Sequence, residues 1–306
     1  MGKTSKSPKQ ILEKAYEVGS KALPDYSSKH SPQTFTQGQL FACLVLKAFF
    51  QTDYRGIVEI FNEWKELQDA INLPRLPHFT TLQKAERRLL DKESTRKLLQ
   101  QTIKETLTPT QMRRIVELAA IDGSGFESRH VSRYFVKRRW SKRTDSEMEM
   151  SYTKYPMAGV VCDCADHMIL AIQADRGPKP DILHFKQLLK DALNFVDVRK
   201  LLADAQYDSE VSHEYARETF GVESIIPPKR GARYNITPKG KWRRRLKSRF
   251  PKKTYQQRWQ VETVFSMMKR SLGSALKARQ YHSQCRELHL KALTHNIMIL
   301  RHFFFR

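Results

Sequence analysis

The chain has 306 residues, with 55 Lys+Arg against 32 Asp+Glu, a formal charge of +23 and a pI near 9.9. It is long enough for one large core or two modest ones. Its charge implies a polyanionic partner, because a basic surface gains affinity by releasing counterions from phosphates.

No apolar run approaches the ~20 residues needed to span a bilayer, so no membrane partner is expected. The opening Met-Gly-Lys-Thr-Ser-Lys lacks the apolar core of a signal peptide. The expectation is a soluble cytoplasmic protein, associated with the nucleoid through DNA. Cys43, Cys162, Cys164 and Cys285 do not make a disulfide framework in a chain of this size. Cys162-Asp-Cys164 has no second pair to complete a tetrahedral zinc site, and reads as buried or edge-strand thiols.

Residues 1–30 read as a polar, lysine-rich tail, with a short helical patch at Ile11 to Tyr16 and part of the segment loosely ordered. Residues 31–112 read as a helical domain. An apolar helix spans Gln39 to Phe50, followed by helical spacing over Tyr54 to Phe61 and Trp64 to Ile71. Pro74 and Pro77 break the run, and Thr80 or Thr81 caps a basic helix, Leu82 to Leu90. Short helices, a proline turn and a basic helix are compatible with a helix-turn-helix reader, or with a plain bundle packed on a neighbouring domain.

From about residue 113 the texture becomes α/β. Arg114 to Ile121 reads as a strand ending at Asp122, followed by a basic hairpin from Arg129 to Arg143 that carries Tyr134, Phe135 and Trp140. Pro156 to Cys162 and His167 to Gln173 read as adjacent strands. A helix over Asp181 to Leu193 takes Asp181 as its cap, and the strand Val198 to Ala203 delivers Asp204. Asp208 reads as the cap of a helix over Glu210 to Thr219, and Val222 to Ile226 is a further strand. Both aspartates end predicted strands, where open α/β sheets place their sites.

The basic stretch at about 229–253 has no acidic residue. Arg243, Arg244 and Arg245 within it are candidates to track a phosphate backbone. Trp242 stacks on an unpaired base or docks on the core. The final helix, Leu288 to Leu300, is apolar enough to cover a sheet, and His289 and His295 in it read as core or polar-side histidines rather than ligands.

Tyr255, Arg258, Glu262 and Lys269 stand at offsets of zero, three, seven and fourteen. At roughly 100° per residue they share an arc of about 60° on one helix. A lone carboxylate between cations on a rigid rod suits a metal ligand beside a polyanion.

This Tyr-x2-Arg-x3-Glu-x6-Lys spacing resembles the signature around the third acidic residue of DDE transposases of prokaryotic insertion sequences. Ile121-Asp122-Gly123-Ser124-Gly125-Phe126 resembles the family's first-aspartate motif. Ala203-Asp204-Ala205-Gln206-Tyr207-Asp208-Ser209 resembles the second, with Gln206 where the family commonly has glycine. The resemblance covers roughly residues 30–300 and implies an RNase H-like catalytic core, a mixed sheet flanked by helices, over 113–306. The helical domain would then bind the element ends.

Three carboxylates from separate elements fit phosphodiester chemistry with two magnesium ions, manganese being a substitute. Asp122 would be shared by both ions, with Asp204 and Glu262 each completing one site. The resemblance further implies hydrolysis at the element end and transfer of the freed 3′-hydroxyl to target DNA. Arg258 and Lys269 would hold phosphates, and Tyr255 would contact DNA near the cleaved end. The expected partners are double-stranded DNA, as inverted-repeat ends and target, and a second copy of the chain. The alternatives are an RNase H-like nuclease without strand transfer and a catalytically silent DNA-binding protein; the intact Asp122, Asp204 and Glu262 argue against the latter.

Overall fold

Helix α1 (Pro8–Ala22) forms where a polar tail with a short helical patch was expected. Pro8 opens it at a position that has no N–H to lose, and Ile11, Leu12, Ala15 and Val18 recur on one face and are buried. The surrounding lysines dilute the composition without breaking that face. The structure is a computed structural model that describes residues 4–108, 110–128, 136–140, 148–152, 155–229 and 238–304.

Five further helices follow: α2 (Gln37–Phe49), α3 (Tyr54–Glu63), α4 (Lys65–Ala70), α5 (Phe79–Leu89) and α6 (Lys92–Lys104). Their starts are chemically marked. Thr36 and Gln39 form a reciprocal capping box on α2, Asp53 accepts from the Arg55 and Gly56 N–H groups of α3, and Asp91 accepts from Ser94 N–H on α6. His78, rather than Thr80 or Thr81, caps α5. That helix buries Leu82, Ala85 and Leu89 and leaves Gln83, Lys84, Arg87 and Arg88 exposed.

The second region is a mixed five-stranded sheet. It contains β1 (Arg114–Gly125), then, after the two-residue β2 (Glu127–Ser128) and the hairpin strands β3 (Val136–Trp140) and β4 (Met148–Tyr152), β5 (Tyr155–Asp163) and β6 (Ile169–Gly177). Helix α7 (Ile182–Leu193), β7 (Val196–Leu202), α8 (Glu210–Glu214) with a π turn at Tyr215–Thr219, and β8 (Glu223–Ile225) complete it.

The strand order is β6-β5-β1-β7-β8; β1 and β5, and β5 and β6, are antiparallel, whereas β1 and β7, and β7 and β8, are parallel. Three antiparallel strands followed by two parallel strands with a helix between make the RNase H-like plan. The basic hairpin was expected over Arg129 to Arg143; β3 and β4 pair antiparallel, while Tyr134 and Phe135 lie outside the described residues.

The basic stretch contains α9 (Lys241–Ser248) and the short α10 (Lys252–Tyr255). A 3-10 turn at Gln256–Arg258 leads into α11 (Trp259–Leu272); then come β9 (Ala275–Leu276) and α12 (Tyr281–Phe304). Helix α12 packs on β5 and β6 and also on α1, α2 and α6. One connected hydrophobic core therefore runs from the helical region into the sheet. His295 sits in that core with Nε2 3.0 Å from the His167 carbonyl, and burial lowers its pKa to about 4. All four cysteines are free thiols.

Candidate active site

The site begins where two parallel strands part. Strands β1 and β7 pair as far as Ala120 and Leu202. Asp122 and Asp204 each stand two residues beyond that last pair. β1 does not end at Asp122, as its apolar run suggested; it continues to Gly125, because β5 keeps pairing from Asp122 with Val160 to Gly125 with Met157. Asp122 is thus held on one side by the ladder and open on the other, toward Asp204.

Each carboxylate is fixed by its neighbours. Asp122 Oδ1 accepts from Gly123 N–H at 2.9 Å, and Asp204 Oδ1 accepts from Gln206 N–H at 2.7 Å. The latter bond belongs to a 3-10 turn, Ala205–Tyr207, in which Gln206 has no positive φ. The residue that departs from the family motif therefore fits its turn without needing glycine's freedom.

Tyr255, Arg258, Glu262 and Lys269 do come to the site, though not along one uniform helix. Tyr255 ends α10, Arg258 ends the 3-10 turn, and Glu262 and Lys269 lie on α11. Arg258 bridges the acids, with Nη1 3.2 Å from Asp122 Oδ2 and Nη2 bonded to Glu262 Oε1. Glu262 is otherwise open to solvent. Lys269 Nζ donates to Ser124 Oγ at 2.8 Å and lies 4.9 Å from the centre of the Phe126 ring. Burial lowers the Lys269 pKa. Tyr255 packs edge-on to Phe250 at 5.0 Å, and burial raises its phenol.

Burial also pushes the Asp122 carboxyl up to about 6 against the Gly123 and Arg258 interactions, and the charges of Asp204 and Asp181 add to it. Asp181 is the residue that sequence reasoning misassigned. It occupies the cap position of α7 but makes no capping bond. Its carboxylate lies instead against Gly123, where an added methyl would stand 2.5 Å from Asp181 Oδ1. Its pKa is raised by burial and by Asp204. An acid at a helix start ordinarily reads as a cap, so local spacing held no signal for this role.

The remaining predicted contacts lie on α9. Arg243 is engaged inside the protein, with Nη2 2.6 Å and Nε 2.9 Å from the fully buried carboxylate of Asp208. Asp208 accepts from Lys229 N–H as well, so it anchors the basic segment rather than capping α8. Trp242 is half-buried against the π turn after α8: its indole N–H donates to Glu218 at 3.1 Å, and Arg217 lies 4.5 Å from its ring centre. Arg244 and Arg245 are exposed, with Lys241, Lys247 and Arg249 beside them. Arg243 and Trp242 thus spend their N–H groups on Asp208 and Glu218, while Lys241, Arg244, Arg245, Lys247 and Arg249 remain exposed.

Among the described residues no three Asp, Glu, His or Cys side chains are gathered closely enough to hold a metal ion. The donor set nevertheless fits a hard divalent cation. Asp122, Asp181 and Asp204 offer only oxygen, the charge of Asp204 helps to raise the pKa of both Asp122 and Asp181, and among the described residues the buried Tyr207 hydroxyl beside them has no hydrogen-bond partner. No described helix is long and apolar enough to cross a membrane.

A mixed sheet in this order, with acids at the parting of its central parallel strands, defines an RNase H-like core. The chain belongs to the family described as transposase DDE domain, whose model matches residues 117–297, more than half of its length. Among solved structures it is similar to a piggyBac transposase synaptic complex with hairpin DNA, at 12% identity and a TM-score of 0.45, over 96% of this chain and 73% of that one. No curated protein matches.

Proposed function

We propose that the protein is a DNA transposase of an insertion sequence, which cleaves phosphodiester bonds at the element ends and transfers the 3′-hydroxyl ends to target DNA. The observation that carries this reading is the convergence of Asp122 and Asp204 at the parting of β1 and β7, with Arg258 joining Asp122 to Glu262.

Asp122, Asp204 and Glu262 would hold divalent cations, magnesium or manganese. Such cations, when bound, polarise the phosphate and supply a reactive oxygen. The chain's own residues do the rest. Arg258, freed from the acids it now bridges, presents a planar fork to a phosphate. Lys269, held by Ser124 and Phe126, offers a point charge at the mouth of the cleft. The exposed cations of α9 and of α5 would follow the duplex backbone on either side. Two copies would be needed to hold two ends together.

The test uses a supercoiled plasmid that carries the gene with its native flanks. Breaks that map to repeats in the flanks, appear with magnesium and vanish with EDTA support the reading. Retarded but uncut DNA in both conditions refutes it.

A further inference from the structure

We infer that Asp181 is a fourth carboxylate of the active centre, holding a divalent cation together with Asp122 and Asp204, and that the Tyr207 hydroxyl bonds into the same cluster. This rests on the functional reading above, and it assigns work to two side chains that the three acidic motifs do not.

The first observation is the place of Asp181. Its carboxylate packs directly on Gly123, the neighbour of Asp122, so closely that a methyl added there would stand 2.5 Å from Oδ1 and push the carboxylate aside. It makes no hydrogen bond to cap α7, and among the described residues it forms no ion pair. Arg258 is shared between Asp122 and Glu262, which leaves Asp181 and Asp204 without a cation among the described residues. Two facing carboxylates in a half-buried cleft repel each other, and only a cation or a proton relieves that.

The second observation is independent. Tyr207 is 0% exposed and among the described residues its hydroxyl has no hydrogen-bond partner, a costly condition for a buried polar group. Its ring packs at 6.0 Å on Phe185, which lies one helical turn after Asp181 on α7. It is also three residues after Asp204, in the same 3-10 turn. The hydroxyl lies near enough to Asp122, Asp181 and Asp204 for all three to act on it electrostatically. A hydrated cation among those acids would give it a partner.

The experiment is manganese binding to the full chain, by titration calorimetry and by the gain in Tm over EDTA. Wild type is compared with Asp204→Asn, Asp181→Asn and Tyr207→Phe. Asp181→Asn is expected to weaken binding roughly tenfold, and Tyr207→Phe roughly threefold. Tyr207→Phe should also leave the Tm in EDTA at or above wild type, because it deletes an unpaired buried hydroxyl; a merely structural tyrosine would lower it.

If Asp204→Asn abolishes binding while Asp181→Asn and Tyr207→Phe bind as wild type, this inference falls and the functional reading stands. If Asp204→Asn also binds as wild type, both fall. Should Asp181→Asn fail to fold by circular dichroism, Tyr207→Phe decides. A reduced manganese-dependent gain supports the inference, and an unchanged gain overturns it.

Discussion

Asp122 should destabilise the fold in which it sits. Burial raises its carboxyl from the ordinary 3.8 to about 6, with Asp204 and Asp181 contributing, and only 17% of the side chain is exposed. The folded chain thus holds this proton more tightly than the unfolded chain does. The stabilising contribution is complete below about pH 4 and is lost as pH rises through about 6. Each tenfold in proton affinity is worth roughly 1.4 kcal/mol, so carrying Asp122 charged at pH 7.5 costs about 3 kcal/mol. Asp122→Asn keeps the shape and an acceptor for Gly123 N–H. In EDTA at pH 7.5 it should stabilise the protein by up to about 3 kcal/mol, read as a higher urea midpoint. At pH 4, where the wild-type carboxyl is already protonated, the midpoints should coincide. A variant less stable than wild type at pH 7.5, or an equal shift at both pH values, would refute the reasoning.

Other expectations follow from the packing around the site. Arg243→Ala leaves the buried Asp208 carboxylate unpaired and should cost about 3–5 kcal/mol in urea unfolding, whereas the exposed Arg244→Ala should stay within about 0.5 kcal/mol. Leu12→Ala should cost about 2–5 kcal/mol if α1 belongs to the core; a change near zero would restore the tail. Burial lowers His295 to about 4, so the unfolded chain takes up its proton first. Stability should fall as pH drops from about 6.5 to 4, by about 3 kcal/mol for this residue. A urea midpoint series against pH should show a flatter acid limb in His295→Asn.

The strands β1 and β7 and the acids Asp122 and Asp204 were legible because an apolar run ends abruptly at each acid. What was illegible depended on pairing across the fold. The extension of β1 to Gly125 is set by β5, which no local pattern around Asp122 reveals. Helix α1 hides its five buried positions among polar and charged residues, and α6 buries Thr95 and Thr102 with its leucines, so neither shows a plain apolar stripe. The four-residue face from Tyr255 to Lys269 reached the site, but through a tightened 3-10 turn that one ideal helix does not describe. The basic stretch was legible as charge and not as geometry: Asp208 claims Arg243, and Glu218 claims Trp242. Asp181 meets Gly123 only after the chain has passed through β5 and β6, and its place at a helix start suggested a cap.

The central claim is that Asp122, Asp204 and Glu262 act as one centre on a phosphodiester bond. The most direct measurement is single-turnover cleavage of a mapped element end in magnesium, by wild type, Asp122→Asn, Asp204→Asn, Glu262→Gln and the Asp122→Asn/Glu262→Gln pair. The account predicts that each single change lowers the rate by at least about a thousandfold and that the pair is no slower than the worse single, as for residues that act as a unit. Cleavage within about tenfold of wild type in any single variant, with DNA bound equally by all, would contradict it.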